Sequence, residues 1–224
     1  RLLPWPTERR TREAALCRKV AVSLERSSDY DESLSWVDRA LAALPRRGGR
    51  VGAEVCLTRS MSLFRKGLYE EAIRWGRRGL ALSRHSDGLQ QIAYAHHVLA
   101  GSYMELGKLR QAIHHDRWAV RFYHQVGDYP GQAMANSNLG ACYQLQGVLD
   151  AALYHYQVAL KADEHVGNVA HTAIVHNNIG EVLLVMGQLE EAAAHLEEVT
   201  RLYRLEAGLA AVPGLAHVNI SRCR

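Results

Sequence analysis

Apolar residues recur at steps of three and four along most of the chain, which is the spacing of one face of an α-helix. The clearest stretch contains Leu139, Tyr143, Leu149, Leu153, Tyr156 and Leu160. Gly147 interrupts this stretch once, and a glycine can end a helix there because it readily adopts left-handed backbone angles. The pattern therefore predicts a helix, a tight turn and a second, antiparallel helix.

Glycine and alanine recur with a period of forty residues. The glycines are Gly67, Gly107, Gly147 and Gly187, and the alanines that follow each by five are Ala72, Ala112, Ala152 and Ala192. A fixed period of this size indicates repeated supersecondary units, which stack because one unit alone cannot bury its apolar face. Such an array is more typical of a binding surface than of an active site.

Small residues also occupy positions where two helices of one unit would meet. Gly140, Ala152 and Ala159 are the examples in the fourth unit. Helices joined by a short turn approach closely only where side chains are small, so a large residue at these positions would force them apart.

The units resemble the tetratricopeptide repeat. The fourth unit carries the resemblance through Asn138, Leu139, Gly140, Tyr143, Gly147, Leu149, Ala152, Tyr156 and Ala159, and the fifth through Asn178, Ile179, Gly180, Leu183, Gly187, Leu189, Ala192, Leu196 and Val199. The third unit has Asp116 in place of the usual aromatic residue, and the first has Ser33 in place of the alanine. The forty-residue period is similar to that of kinesin light chains, of Rap-type regulators and of the helical arms of bacterial signalling ATPases and cyclases.

This resemblance implies an all-α fold, a right-handed superhelix of five helix pairs plus a partial sixth. We expect one solenoid domain over residues 1–224, with repeats at about 8–46, 50–87, 88–127, 128–167 and 168–208 and a partial repeat at 209–224. The chain begins without methionine and its last unit is incomplete, so we expect it to be a piece of a larger protein.

The net charge of +4 conceals two unlike halves. Residues 1–112 contain 20 Lys and Arg against 12 Asp and Glu, whereas residues 113–224 contain 7 against 11. The basic half permits contact with nucleic acid, but scattered arginines without interleaved aromatic residues favour a solvated face. No stretch reaches the length of a membrane span and no signal peptide is present, so we expect a cytoplasmic protein.

The sequence predicts no catalytic residue, no metal site and no cofactor. His115, His155 and His195 recur at one repeat position, which Trp75 and Trp36 continue, and we interpret them as packing groups. Asp163, Glu164, Glu197 and Glu198 are interpreted as solvated charges. The four cysteines, Cys17, Cys56, Cys142 and Cys223, are expected to be free thiols, since they form no metal-binding spacing.

The first helix of each repeat lines the concave groove in this family, and that register implies the candidate ligand-binding residues. They are Leu57, Met61, Phe64, Tyr94, His97, Met104, Met134, Ser137, Asn138, Gln144, Ile174, Asn177, Asn178 and Glu181. Of these, His97, Gln144 and Asn177 are the stronger candidates, because Asn138 and Asn178 also match the repeat consensus. The groove lacks a cluster of Lys and Arg, which disfavours a ligand held by its C-terminal carboxylate.

We therefore predict a scaffold or regulatory sensor module that binds a protein or peptide in this groove. Self-association is the first alternative, because Val218 and Ile220 would leave the last repeat with an uncovered apolar face. Binding of nucleic acid is the last alternative, and it predicts an affinity that falls steeply with salt.

Overall fold

The computed structural model describes residues 6–44, 49–86 and 88–207. Ten α-helices and no strand occur in these ranges. They are α1 (Pro6–Arg26), α2 (Tyr30–Ala43), α3 (Gly49–Arg65), α4 (Tyr69–His85), α5 (Leu89–Glu105), α6 (Leu109–Gln125), α7 (Tyr129–Leu145), α8 (Leu149–Glu164), α9 (Val169–Met186) and α10 (Leu189–Ala207).

Consecutive helices pack as five pairs, which confirms the predicted all-α fold of helix hairpins. The chain divides into two compact units, Arg1–Val126 with α1 to α6 and Gly127–Arg224 with α7 to α10. In the first unit α3 contacts both α1 and α5, and in the second α7 contacts α9, so first helices of successive repeats are neighbours. The single continuous domain stays a prediction, and the partial sixth repeat, with Val218 and Ile220, lies outside the described residues.

The turn between the helices of a repeat depends on the glycine of the forty-residue period. Gly67, Gly107, Gly147 and Gly187 all have φ between 68° and 77°, where a side chain would be strained. At Gly187 the backbone N–H donates to the carbonyl of Leu183 or Leu184 and closes α9. The predicted helix-ending role of these glycines is confirmed.

The alanine that follows each glycine is fully buried. Ala72, Ala112, Ala152 and Ala192 all have no exposed surface. Ser33 takes this place in the first repeat and is equally buried. Its hydroxyl can be buried because it donates a hydrogen bond to the carbonyl of Ala21 at 2.9 Å.

Facing residues of the two helices of a repeat are matched in size. A Cβ atom added at Gly140 would lie 2.6 Å from the ring of Tyr156, and one added at Gly180 would lie 2.8 Å from Leu196. In the second repeat the pair at these positions is Ser60 and Gly76, so the small and larger partners are exchanged between helices. We call these facing positions the close-contact pair.

Candidate functional site

A cavity of about 360 Å³ opens in the first unit, where α1, α3 and α5 lie side by side. Its lining residues are Arg18, Val22, Glu25, Arg26, Glu54, Leu57, Thr58, Met61, Gln90, Gln91 and Tyr94. The lining combines the apolar side chains of Val22, Leu57 and Met61 with charged and amide groups. We call this space the α1–α3–α5 cavity.

Glu54 is the centre of the polar network in the α1–α3–α5 cavity. Its carboxylate lies 3.2 Å from the guanidinium of Arg18 and 3.2 Å from that of Arg50. The amide of Gln91 also donates to Glu54, at 3.1 Å. These contacts connect α1, α3 and α5 and hold the polar groups of the cavity in fixed positions.

Tyr94 contributes a neutral hydroxyl to the same space. Burial raises the pKa of Tyr94, and the nearby carboxylate of Glu25 raises it further. The phenol therefore stays protonated at neutral pH, where it can both donate and accept a hydrogen bond.

The structure brings three of the predicted groove residues, Leu57, Met61 and Tyr94, together in the cavity. Phe64 is half-buried and packs beside Gly101, where an added Cβ would lie 3.3 Å from its ring. Met104 is also half-buried, on the same helix as Tyr94. The predicted groove residues of the first unit therefore lie on α3 and α5.

The three stronger candidates all make contacts within the protein. The hydroxyl of Tyr156 donates to the side-chain carbonyl of Gln144 at 2.8 Å, and the amide of Asn177 donates to Glu181 at 2.9 Å. His97 is mostly buried, with its Nδ1 3.7 Å from a carboxylate oxygen of Asp116. The hydrogen bonds orient Gln144 and Asn177, and the role of all three side chains in binding stays a prediction.

The remaining candidates lie in the second unit and differ in exposure. Met134 and Ile174 are 38% and 50% exposed, whereas Ser137 is buried. Asn138 and Asn178 are half-buried. Met134 and Ile174 are therefore the predicted residues of this unit that are most accessible to a ligand.

The sequence analysis missed the contribution of α1 to the cavity. Arg18, Val22 and Glu25 lie thirty-nine residues before Leu57, Met61 and Phe64, at the equivalent positions of the first repeat. The same offset of thirty-nine separates Trp36 from Trp75, and applying it to the first helix would have identified these residues.

Comparisons with known proteins identify the repeat. The Tetratricopeptide repeat family model matches residues 131–205. Residues 131–205 therefore match the tetratricopeptide repeat family, and the fold of the described residues is that of solved tetratricopeptide repeat proteins. No curated protein sequence matches it.

Solved structures share the tetratricopeptide fold at low sequence identity. Aspartyl phosphate phosphatase F from Bacillus subtilis aligns with a TM-score of 0.79 and 14% identity over 93% of this chain and 55% of its own. TTC0263 from Thermus thermophilus, a thermophilic tetratricopeptide protein, aligns with a TM-score of 0.68 and 21% identity over 93% and 98%. YrrB, described as a tetratricopeptide protein with an unusual peptide-binding site, aligns with a TM-score of 0.57 and 17% identity over 90% and 89%.

Three of the helix pairs have a polar contact between their two helices. The Nδ1 atoms of His96 and His115 are 2.9 Å apart, and those of His176 and His195 are also 2.9 Å apart. At the same register of the fourth repeat, Nδ1 of His155 lies 3.1 Å from the side-chain carbonyl of Asn136. We call these three contacts the inter-helix histidine pairs.

His115, His155 and His195 are half-buried, as the packing interpretation predicts. Their partners in the first helices were not predicted, because the members of each pair lie on different helices and are not neighbours in the sequence. The signal is a spacing of nineteen residues that recurs with the forty-residue period.

Acid is expected to weaken the third repeat through its histidine pair. Burial lowers the pKa of His96 to about 3, and His115, Arg84 and His114 act in the same direction. Burial also lowers the pKa of His115 to about 4, together with His114, Arg77 and Arg84. In the folded protein the two pKa values lie below the unfolded value of about 6.5. The stability that depends on neutral histidine rings is therefore fully present above pH 6.5 and is lost as the pH falls. Urea unfolding should show that the free energy of unfolding falls more between pH 7 and pH 5 for the wild type than for His96→Asn. Equal losses in the two proteins would contradict this role.

Asp163 corrects one of the sequence interpretations. It was expected to be solvated, but only 1% of the residue is exposed. One carboxylate oxygen accepts a hydrogen bond from Nδ1 of His171 at 2.6 Å, and burial raises the pKa of Asp163 although His171 opposes this. The equivalent Tyr123 and Ser83 are also buried, so the repeat register places this position inside the protein.

The described cysteines, Cys17, Cys56 and Cys142, are reduced thiols outside any disulfide and are at least half-buried, as predicted. Cys223 lies outside the described residues. No helix in the described part of the chain has the length and apolar character of a membrane span.

Proposed function

We propose that this chain is a protein-interaction module that binds a peptide or protein segment along the first helices of its repeats. The observation that carries the proposal is the α1–α3–α5 cavity, which gathers Leu57, Met61 and Tyr94 from two different repeats. The peptide-binding site described for YrrB supports it as an example from the same fold.

The composition of the cavity suits an extended peptide. Leu57 and Val22 offer apolar surface for one side chain, and Met61 can adapt its flexible thioether to different shapes. Gln90 and Gln91 carry amide groups, which can donate to a carbonyl and accept from an N–H of a peptide backbone. We propose groove recognition without a covalent step.

A displayed library of random twelve-residue peptides tests the proposal. Peptides selected on the wild-type chain are synthesised with a fluorescent label, and their affinity is measured by anisotropy. Replacing Tyr94 and Gln91 together with alanine should weaken binding at least about tenfold, because central contacts of an interface contribute most of the affinity.

Gln111→Ala is the matched control, since Gln111 is exposed on α6 and does not line the cavity. It should leave the affinity unchanged. A library that yields no binding peptide, or peptides whose binding survives the loss of both Tyr94 and Gln91, would refute binding in this cavity.

A further inference from the structure

The inter-helix histidine pair of the fifth repeat has the chemistry of a metal-ligand pair. His176 on α9 and His195 on α10 place their Nδ1 atoms 2.9 Å apart, with ring centroids 5.0 Å apart. Both side chains are half-buried, so the pair retains access to solvent. Imidazole nitrogen is a good ligand for zinc, copper and nickel ions.

A metal ion binds an imidazole ring through a nitrogen that carries no proton. In the contact between His176 and His195 one Nδ1 donates and the other accepts, so one of the two already has a free lone pair on Nδ1.

The spacing of the two nitrogen atoms selects a coordination geometry. Metal–nitrogen bonds of about 2.0–2.1 Å subtend an angle of about 90° when the two nitrogens are 2.9 Å apart. An angle of about 90° joins neighbouring positions of a square-planar or octahedral ion, whereas a tetrahedral ion needs a wider separation. Copper(II) and nickel(II) prefer these geometries.

We propose that His176 and His195 bind one divalent copper or nickel ion at two neighbouring coordination positions, joining α9 to α10. Among the described residues no group of three metal-binding side chains is already gathered, so water occupies the other positions. Each ring then carries its remaining proton on Nε2. Because this needs only a tautomer shift in the ring that previously donated, binding releases no proton at pH 7.

Charge separates this pair from the similar pair in the third repeat. The carboxylate of Glu191 acts on His195, which favours a cation. Glu198 and Arg201 also act on His176, but they are bound to each other at 2.7 Å and their charges offset one another. The pair His96–His115 instead faces His114, Arg77 and Arg84, and His96 is only 3% exposed. Of these two histidine pairs, we therefore expect only His176–His195 to bind the ion.

Copper(II) titration followed by calorimetry and electron paramagnetic resonance tests the proposal. The wild type should bind one equivalent of copper(II) more tightly than any further equivalents. The electron paramagnetic resonance spectrum of this copper should show two coordinated nitrogens. His176→Asn should lower the affinity of this site by more than about a hundredfold, because the loss of a residue outside the coordination shell already costs about 10–100-fold. Asn136 makes the equivalent contact with His155, so this variant keeps the hydrogen bond and should fold.

His96→Asn is the matched control and should bind copper as the wild type does. His195→Phe provides a second variant, and circular dichroism establishes that each variant is folded. The proposal is overturned if folded His176→Asn and His195→Phe bind as tightly as the wild type, or if His96→Asn removes the site. It is also overturned if no equivalent of copper(II) binds to the wild type more tightly than the others.

Discussion

Replacing Tyr156 with alanine is expected to lower the free energy of unfolding by about 3–5 kcal/mol, the range for a buried aromatic residue. Tyr156 is 1% exposed and belongs to a core cluster with Val175, Ile179 and Val182. The substitution leaves a cavity in this cluster and removes the hydrogen bond from the tyrosine hydroxyl to Gln144. Urea denaturation followed by circular dichroism measures the change.

Tyr154 supplies a matched control for this prediction. It lies on the same helix, α8, but is 62% exposed. Tyr154→Ala should therefore change stability by less than about 0.5 kcal/mol, as is usual for exposed positions. Hydrogen exchange should show the loss in Tyr156→Ala mainly in α7 to α10, because repeats are stabilised by their nearest neighbours. Equal stability losses in the two variants would contradict the packing described for α8.

The second prediction concerns the glycine opposite Tyr156. Alanine is a better helix former than glycine by about 1 kcal/mol, so Gly140→Ala would stabilise an exposed helix. Here the new methyl group would lie 2.6 Å from two ring carbons of Tyr156, and the buried ring has no room to withdraw. Overpacking of this kind costs about 1–3 kcal/mol, so we expect net destabilisation, measured as above.

Gly52→Ala is the control, and its expected sign is opposite. An added Cβ at Gly52 would lie 3.7 Å from Leu82 and 3.9 Å from Leu44, which are ordinary contacts. This variant should be more stable than the wild type by up to about 1 kcal/mol. If both substitutions stabilise the protein, the close-contact pair does not limit helix approach.

A double variant tests whether the two residues act on each other. In Gly140→Ala with Tyr156→Ala, the new methyl group enters space that the ring has vacated. The combined loss should therefore be smaller than the sum of the single losses, since contacting residues are not additive.

The fold could be predicted because the features that define it depend on local size and conformation. Gly147 needs left-handed backbone angles and Ala152 needs to be small, and both requirements leave a mark at one position of the sequence. The forty-residue period then repeats each mark, which removes most of the ambiguity of a single residue.

The site could be predicted only in part. Leu57, Met61 and Tyr94 follow from the register of the first helices. Arg18 and Val22 were not predicted, because the first repeat is offset from the second by thirty-nine residues and not by forty. The bond between Asn177 and Glu181, and the histidine pairs, depend on rotamers and on the alignment of two helices. Rotamers and helix alignment cannot be inferred from the identity of a single residue.

The close-contact pair also constrains how such a chain can change by recombination. Ser60 faces Gly76 in the second repeat, while Gly140 faces Tyr156 in the fourth. A crossover in the turn between helices would combine Ser60 with Tyr156 and place two side chains where one fits. A crossover between repeats would keep each matched hairpin intact. Insertions and deletions in proteins of this kind should therefore add or remove whole helix hairpins.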